Sequence, residues 1–336
     1  MKQITVGIIG AGRIGKVHAQ SIALNIPGVK IKTIADVYMN DETMVWAKSL
    51  GIENTTKDYM DIINDKDIEV VLICSSTNTH AQFTMEAAKA GKNVFCEKPL
   101  DPSIEKIKET IKVVEDTGIK FQIGFNRRFD HNFKAVKQAV LDGKIGDPHI
   151  IRITSRDPEP PNPEYVKVSG GMFMDMTIHD FDMARFLSGS EVEEVYVQGA
   201  VLVDPEIGKA GDIDTAVITL KFKSGAIGVI DNSRQAVYGY DQRAEVFGSG
   251  GAVETSNDGF STAVISTSSG IGSEKPLFFF LERYMDSFIQ EMKEFFDAIE
   301  NGKETPVGAV DALRPVQIAK AAGESLKSGL PIKVVY

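Results

Sequence analysis

The stretch ITVGIIGAGRIG at residues 4–15 decides the fold of this chain. Its first six residues form a nearly continuous apolar run, which is typical of a short buried strand in a parallel sheet. Three glycines follow in a fixed spacing. Gly10 permits a tight turn, Gly12 lets backbone approach a pyrophosphate, and Gly15 lets the next helix pack closely on the strand. The stretch therefore predicts a strand, a turn and a helix that together bind a dinucleotide.

The residues after this turn extend the prediction. A helix from Ile14 directs its positive N-terminus at the pyrophosphate, with Arg13 and Ile14 as further contacts. A second strand at residues 29–35 ends in Asp36, 21 residues beyond the last of these glycines, where a carboxylate accepts from ribose hydroxyls. The same carboxylate repels a 2′-phosphate, and no arginine follows it to offset the repulsion. We therefore expect NAD rather than NADP. The alternative to a dinucleotide site as a whole is a purely structural turn.

Strands and helices alternate up to residue 124. Further strands are predicted at 70–74, 93–96 and 121–124, with helices at 79–90 and 103–117 between them. This alternation indicates an α/β Rossmann domain with a doubly wound parallel sheet over residues 1–124. Ligands of such sheets lie beyond the carboxyl ends of the strands. The residues near those ends that we expect to contact the cofactor are Ser75, Asn78, His80, Glu97, Lys98 and Arg127.

Lys98 is singled out by its position. It comes directly after a buried strand, beside Glu97, and Pro99 restricts the backbone that follows. The alternative is a solvated surface lysine, which is the usual state of this residue. The position favours a lysine directed at a ligand.

The pattern changes after Arg128. One helix at about 132–141 leads to long strands at about 149–154, 193–203, 214–223, 226–236 and 242–248, with a weaker one near 262–267. Short glycine turns between neighbouring strands indicate a large, mostly antiparallel open sheet. Two helices at about 281–300 and 310–328 and a strand at 332–335 end the chain. We predict an α+β domain over 125–336 that binds substrate and forms oligomers.

Residues 170–185, GGMFMDMTIHDFDMAR, carry the polar groups that most need an explanation. Read as one helix, the stretch places Asp175, His179 and Asp182 on a single face of a largely apolar element. A His with a carboxylate one turn before it can accept a proton, because the carboxylate orients the ring and stabilises the imidazolium. The alternative is a core His satisfied by a neighbouring Asp. The proline-rich loop at 157–165 precedes this stretch and is predicted to be a wall of the substrate pocket rather than a linker.

These motifs together resemble the glucose-fructose oxidoreductase, inositol dehydrogenase and rhizopine catabolism superfamily. The resemblance rests on GAGRIG at 10–15, EKP at 97–99, NRRFD at 126–130, and the two glycines before Asp175 and His179. Within that superfamily, the segments 155–158 and 169–185 most resemble the bacterial inositol 2-dehydrogenases. The likeness covers essentially the full chain.

The resemblance implies several properties. It predicts an NAD-binding Rossmann domain, a second domain on a large open sheet, and a dimer or tetramer formed through that sheet. It also predicts an unusual backbone at Lys98-Pro99, with a cis peptide as one form. It implies that Lys98, Asp175 and His179 are catalytic. It also implies that these three contact the substrate, together with Arg127, Asp157 and Tyr238.

Composition excludes several other classes. The net charge of −10 disfavours nucleic acid and anionic membrane partners. We find no apolar run long enough to span a membrane and no leader, so we expect a cytoplasmic protein. Two cysteines do not make a disulfide framework, and five scattered histidines have no metal-ligand spacing, so no metal is expected.

The predicted activity is NAD-dependent oxidation of a secondary hydroxyl of a cyclic polyol, with myo-inositol as the substrate and 2-keto-myo-inositol as the product. The absence of a dense Arg or Lys cluster favours a neutral polyol over a sugar phosphate. One alternative is a dehydrogenase or reductase for another inositol isomer or an aldose. The other is a non-catalytic, NAD-dependent binding or regulatory protein.

Overall fold

A computed structural model describes residues 3–336, which divide into two compact units. The first unit comprises the chain through Asn126 together with Met285–Arg314. The second comprises Arg127–Tyr284 and Pro315–Tyr336. The expected division at residues 124 and 125 assigned everything downstream to the second domain. The structure instead returns Met285–Arg314 to the first unit.

The first unit begins as six strands joined by helices. The strands are β1 (Ile4–Ile9), β2 (Val29–Ala35), β3 (Asn54–Thr56), β4 (Val70–Ile73), β5 (Asn93–Glu97) and β6 (Phe121–Gly124). The helices are α1 (Arg13–Asn25), α2 (Asp41–Ser49), α3 (Met60–Ile63), α4 (Thr77–Lys89) and α5 (Ile104–Thr117). All strand pairs are parallel, in the order β3-β2-β1-β4-β5-β6. The doubly wound sheet is confirmed, and its order reverses between β1 and β4, where such sheets bind ligands.

The second unit contains a larger sheet with short helices between its strands. A 3-10 turn at Asn126–Phe129 leads into this part of the chain. The helices are α6 (His131–Leu141), α7 (Pro163–Ser169), α8 (Met172–Asp175), α9 (Thr177–Ser188), α10 (Pro205–Lys209) and α11 (Phe280–Arg283). The strands are β7 (Pro148–Arg156), β8 (Val192–Ala200), β9 (Thr215–Phe222), β10 (Ile227–Ser233), β11 (Asp241–Gly248), β12 (Gly251–Glu254), β13 (Val264–Thr267) and β14 (Gly270–Ser273).

The chain ends with α12 (Met285–Glu300), α13 (Ala309–Ser328) and β15 (Ile332–Lys333). Helix α12 packs on α1 in the first unit. Seven strands of the second unit form one sheet in the order β12-β11-β7-β10-β9-β8-β15. Its pairs are antiparallel except β7 with β10, which confirms a large, mostly antiparallel sheet. The strands β13 and β14 form a separate hairpin.

Three local expectations differ from the structure. The loop at 157–165 is not extended to its end, because Pro163 begins α7, where its fixed φ suits the first helical turn. The helix expected at 281–300 is interrupted at Tyr284. The final strand is two residues long instead of four. No helix within residues 3–336 combines the length and apolar character needed to cross a bilayer.

Candidate active site

The glycine-rich turn lies between β1 and α1 and is shaped by steric limits. Gly10 has a φ of 105°, and a Cβ there would lie 2.5 Å from the Cys74 carbonyl group. A Cβ on Gly15 would lie 2.0 Å from the Gly10 carbonyl oxygen. Gly12 meets nothing within 4 Å, so the first turn of α1, with Arg13 and Ile14, begins beside open space. Unpaired N–H groups at a helix N-terminus beside such space suit a pyrophosphate.

Asp36 follows β2, and its carboxylate accepts hydrogen bonds from the backbone of the glycine-rich turn and of Tyr38. Its Oδ2 accepts the Ala11 N–H at 2.7 Å, and its Oδ1 accepts the Tyr38 N–H at 2.8 Å. Each carboxylate oxygen has two lone pairs, so acceptor capacity remains for ribose hydroxyls. Val37 and Tyr38 are exposed beside it and carry no positive charge. The residues of this half therefore fit NAD.

The residues after β4 divide into exposed and buried ones. Asn78 is exposed on the first turn of α4, and the Ser75 hydroxyl pairs with that of Thr79 at 2.7 Å. His80 is only 2% exposed; its Nδ1 lies 2.8 Å from the Pro99 carbonyl oxygen and its Nε2 3.0 Å from that of Ser75. We had expected His80 to contact the cofactor. Both ring nitrogens face backbone carbonyls and so join the loops after β4 and β5, and the cofactor contact of His80 stays a prediction.

Glu97 is the last residue of β5, and Lys98 follows it directly. The Lys98–Pro99 peptide is cis, which confirms the unusual backbone predicted there. Lys98 is partly exposed. Glu97 is 8% exposed, and its Oε1 lies 2.7 Å from the His18 Nε2. Glu97 was predicted to contact the cofactor, but its carboxylate is turned into the protein interior.

The stretch at 170–185 is two helices and not one. Helix α8 ends at Asp175, and α9 begins at Thr177, with Met176 at φ −100° and ψ −61° between them. The break places Asp175 at the end of α8 and His179 in the first turn of α9. Asp182 is buried and pairs with Arg128 at 2.6 Å, which is a structural ion pair. The single helix predicted for this stretch is therefore wrong, and the shared role of Asp175 and His179 stays a prediction.

Two buried side chains fix the beginning of α9 and so fix His179. The Thr177 hydroxyl donates to the Asn232 Oδ1 at 2.7 Å, and the Asn232 Nδ2 donates to the Asp180 Oδ2 at 2.9 Å. Asn232 lies on β10, and the residues it holds flank His179 in sequence. The sheet thus positions the candidate base from both sides.

Arg127 is built into the second unit. Its guanidinium donates to the Asp180 Oδ1 at 2.6 Å and to the Ser155 hydroxyl at 3.3 Å, and it is 5% exposed. Burial acts to lower its pKa, but Tyr284, Tyr240 and Asp180 raise it, so the group stays charged. Arg127 was expected to contact both cofactor and substrate. Its hydrogen bonds to Asp180 and Ser155 indicate a structural role, and the cofactor and substrate contacts stay predictions.

Arg234, which the sequence did not reveal, joins two of the predicted site carboxylates. Its Nη2 donates to the Asp175 Oδ2 at 3.0 Å and its Nη1 to the Asp157 Oδ2 at 3.3 Å. The Tyr165 hydroxyl donates to the other Asp175 oxygen at 2.8 Å. We name Arg234, Asp157, Asp175 and Tyr165 the Arg234 cluster.

Burial and the neighbouring charges shift the pKa values of the groups in this cluster. Burial raises the pKa of Asp157 to about 6; Arg234 opposes that rise and the neighbouring Asp175 adds to it. Burial acts to lower the Arg234 pKa, but Asp175 and Asp157 raise it more, so its net shift is upward. At neutral pH the cluster therefore holds one firm positive charge between two carboxylates.

Tyr238 belongs to a different network. Its hydroxyl donates to the Asp241 Oδ2 at 2.6 Å and accepts from the Arg156 Nη1 at 2.9 Å. Its side chain is 41% exposed. The structure does not join Tyr238 to the Arg234 cluster, and its substrate contact stays a prediction.

Strand register explains how Arg234 reaches Asp157. The parallel strands β7 and β10 pair Arg156 with Ser233, so the next residue of each strand emerges at the same edge of the sheet. Both strands were predicted, but their parallel pairing was not. Had the parallel pairing of β7 with β10 been predicted, the contact between Arg234 and Asp157 would have followed from it.

The described residues contain no grouping of His, Cys, Asp or Glu side chains that could hold a metal ion.

Comparisons with known proteins agree with this geometry. The family described as "Oxidoreductase family, NAD-binding Rossmann fold" matches residues 4–125, and the "GFO/IDH/MocA C-terminal domain" matches residues 133–254. The chain is 53% identical to the uncharacterized oxidoreductase YrbE of Bacillus subtilis strain 168, covering 100% of this chain and 98% of the relative. It is 48% identical to the myo-inositol 2-dehydrogenase of Thermotoga maritima, covering 98% of each.

A solved structure extends the comparison. The scyllo-inositol dehydrogenase of Lactobacillus casei, with bound NAD(H) and scyllo-inositol, superposes with a TM-score of 0.92. It is 32% identical to this chain, and the match covers 99% of both chains.

Proposed function

This chain belongs to the GFO/IDH/MocA family of NAD-binding oxidoreductases, and we propose that it oxidises a secondary hydroxyl of myo-inositol to 2-keto-myo-inositol. It is an NAD-dependent dehydrogenase acting on CH–OH groups. The choice of a cyclic polyol is supported by its relatives, which include both myo-inositol and scyllo-inositol dehydrogenases. The choice of a neutral substrate is supported by the charges of the second unit.

The observation that carries the proposal is the pairing of buried arginines. Five arginines of the second unit with little exposed side chain each pair with carboxylates. These pairs are Arg127 with Asp180, Arg128 with Asp182, Arg185 with Glu191, Arg283 with Asp130, and Arg234 with Asp157 and Asp175. A phosphate site needs uncompensated cations, and neutralised arginines do not supply them. Carboxylates held in place are suited to accept hydrogen bonds from the hydroxyls of a polyol.

We assign the chemical roles as follows. NAD, when bound, accepts the hydride from the carbinol carbon. His179 accepts the hydroxyl proton, because it lies in the first turn of α9 and an imidazole can take up a proton near neutral pH. Lys98 donates to the same oxygen and stabilises its developing negative charge. Arg234 orients Asp175 and Asp157 so that their carboxylates accept hydrogen bonds from neighbouring hydroxyls of the polyol.

A second candidate substrate is scyllo-inositol. It is favoured by the likeness to the scyllo-inositol 2-dehydrogenase of Bacillus subtilis, 34% identical over 99% of this chain. The two isomers differ in the orientation of one hydroxyl. The same proton acceptor and hydroxyl-binding carboxylates serve either, so only turnover distinguishes them.

The test is a substrate panel with the purified protein. Reduced nicotinamide absorbance is followed with NAD and myo-inositol, scyllo-inositol, other inositol isomers and aldoses, with Lys98→Ala as the blank. We expect the highest kcat/KM for myo-inositol. A higher value for scyllo-inositol would establish the second candidate, and higher values for aldoses or no turnover at all would overturn both.

We also propose that the open face of the second sheet forms a homodimer or homotetramer. Strand β9 alternates buried and exposed residues, so one face of the sheet is left open. On that face Ile150 pairs with both Phe247 and Ile227, and the latter two are 45% and 55% exposed. An apolar group on an open sheet face favours association.

Light scattering after size-exclusion chromatography tests this assembly. Ile227→Lys should lower the mass to that of a smaller assembly or a monomer. Val45→Lys, on exposed helix α2 and 71% exposed, is the matched control and should keep the mass. A monomeric native protein, or an Ile227→Lys protein of unchanged mass, would contradict the proposal.

A further inference from the structure

Three ionisable side chains are buried together in the first unit, beneath the strand end that carries Lys98. They are His18 of α1, Glu97 of β5 and Glu291 of α12, with 0%, 8% and 0% of their surface exposed. We name them the buried acid cluster. The dehydrogenase chemistry assigned above does not use any of them, yet burial of ionisable groups is costly. Their presence therefore needs its own explanation.

Glu97 has well-defined donors. Its Oε1 lies 2.7 Å from the His18 Nε2, and its Oε2 accepts the Lys98 N–H at 3.3 Å. The His18 ring is held edge-on by Phe95 and Phe288, with centroids 4.9 and 5.5 Å away. A Cβ on Gly124 would lie 3.1 Å from the Glu97 carboxyl carbon, so the site is tightly packed. One carboxylate thus links a fixed imidazole to the backbone of Lys98.

The surroundings of Glu291 differ from those of Glu97, because within residues 3–336 they offer its carboxyl group no hydrogen bond. Neither of its carboxyl oxygens has a hydrogen-bond partner among the described residues. Burial first, then Glu97, then Glu294 raise its pKa well above the ordinary 4.5. A fully buried carboxylate without a donor is strongly disfavoured, so Glu291 is a neutral acid in the folded protein.

The other groups that face the cluster do not change this assignment. The buried Cys74 thiol at the end of β4 has its pKa raised by burial and by Glu97, Cys96 and Glu291, so it stays neutral. Gln122 on β6 pairs in register with Phe95, which places it on the same face of the sheet. Its amide is buried and uncharged. The cluster therefore has one site suited to a negative charge, at Glu97.

We propose that the buried acid cluster holds a single negative charge on Glu97, with Glu291 protonated, and that His18 and Glu97 are positioning residues for Lys98. His18 donates Nε2–H to Glu97, and Glu97 accepts the Lys98 amide and orients the peptide from which the lysine extends. Glu97 acts on the buried Glu291 carboxyl through its charge, so two ionised carboxylates here would repel each other. A neutral Glu291 removes that repulsion. The role of Lys98 rests on the proposed function, but the charge state of the cluster does not.

The first test separates positioning from cofactor binding. Glu97→Gln and His18→Phe should each lower kcat by at least about tenfold and leave KM for NAD within about twofold, because both side chains are buried in the first unit. His18→Phe keeps an aromatic ring but loses the donor. His18→Gln keeps a donor and should recover most of the kcat. Glu300→Gln, at the exposed end of α12, is the control.

A kcat unchanged by Glu97→Gln and His18→Phe would overturn the positioning role. A loss that His18→Gln does not recover would do the same if thermal melting shows that the variant is folded. A rise in KM for NAD alone would restore the expectation that Glu97 contacts the cofactor.

The second test needs no substrate and reads the proton on Glu291. The infrared spectrum of the native protein at about pH 8 should contain a protonated carboxyl band that Glu291→Gln lacks. The sign of the stability effect follows from linkage. The unfolded chain loses this proton near pH 4.5 and the folded protein keeps it, so stability falls as pH rises toward the raised folded pKa.

Glu291→Gln cannot lose a proton, so its Tm should exceed that of the native protein by an amount that grows from about pH 5 to about pH 8. A constant difference, or an infrared band that remains in Glu291→Gln, would overturn the neutral acid. If the protein proved inactive on every polyol, these two readouts would still decide the charge state. The failure of the proposed function and the failure of this inference are therefore distinguishable.

Discussion

The two units of the molecule use polar groups in opposite ways. In the first unit the turn after β1 offers backbone N–H groups, and Asp36 accepts from the backbone of Ala11 and Tyr38. In the second unit the site consists of ion pairs between side chains, such as Arg127 with Asp180 and Arg234 with Asp175, 53 and 59 residues apart. Backbone groups survive most substitutions, whereas an ion pair is lost when either side chain is changed. We therefore expect single substitutions to affect the second unit more severely.

The largest effect is expected from His179 and Lys98, the two side chains that we propose to be catalytic. His179→Ala and Lys98→Ala should each lower kcat by about 10²- to 10⁴-fold, which is typical of general acid and base groups. NAD affinity should change little, because neither residue belongs to the glycine-rich turn. The double variant should be little worse than the poorer single one, since both act on one oxygen. Steady-state kinetics and NAD titration measure this, with exposed Lys89→Ala as the control.

The pH profile checks the same assignment. The rise of kcat/KM with pH should include the loss of a proton from His179 and be absent in His179→Ala. A variant with native turnover and the same profile would make His179 structural.

Removal of the Arg127 side chain should affect stability most. Arg127→Met leaves Asp180 buried without its counter-ion, which costs about 3–5 kcal/mol in urea unfolding. Asp180→Asn in the same chain should recover much of the loss, because the uncompensated charge is gone. Arg152→Met is the matched control: its pair with Glu245 is exposed and should contribute at most about 1 kcal/mol. If Arg127→Met unfolds normally but raises KM for the polyol, then Arg127 is a ligand contact after all.

Asp157 should give the protein a specific pH dependence. Its pKa rises from 3.8 to about 6 on folding, so the folded state holds a proton that the unfolded chain loses first. Stability from this group is therefore greatest below pH 3.8 and falls as pH rises to about 6, by at most about 3 kcal/mol. Asp157→Asn should remove that slope, measured as unfolding free energy between those pH values. Identical slopes in both proteins would show that Arg234 holds Asp157 ionised throughout.

The smallest effect is expected at Asp36, beside the glycine-rich turn of the first unit. Asp36→Ala should reduce the kcat/KM preference for NAD over NADP by about tenfold, because the carboxylate that repels a 2′-phosphate is lost. Exposed Asp41→Ala is the control. A native protein that uses NADP as well as NAD would contradict the assigned role of Asp36.

Five of the six strands of the first unit could be predicted from sequence to within one residue, whereas β3 and the return of Met285–Arg314 could not. Strand β1, its glycines and Asp36 are close in sequence and are specified by sterics and hydrogen bonding within one βαβ unit. The cis Lys98–Pro99 peptide followed from family resemblance. His80 and Glu97 were assigned to the cofactor because they follow strand ends, yet burial turned both inward.

What the sequence by itself determined is the dinucleotide turn, the parallel sheet and the kinds of side chain available for chemistry. The tertiary structure alone decided which of those side chains meet. Arg234 reaches Asp157 only because β7 and β10 pair in parallel, and Glu291 lies in the same unit as Glu97 only because Met285–Arg314 returns to it. The physical reason is that ion pairs and buried acids depend on distances between segments far apart in the chain. Turns and strands depend on neighbours that the sequence already places side by side.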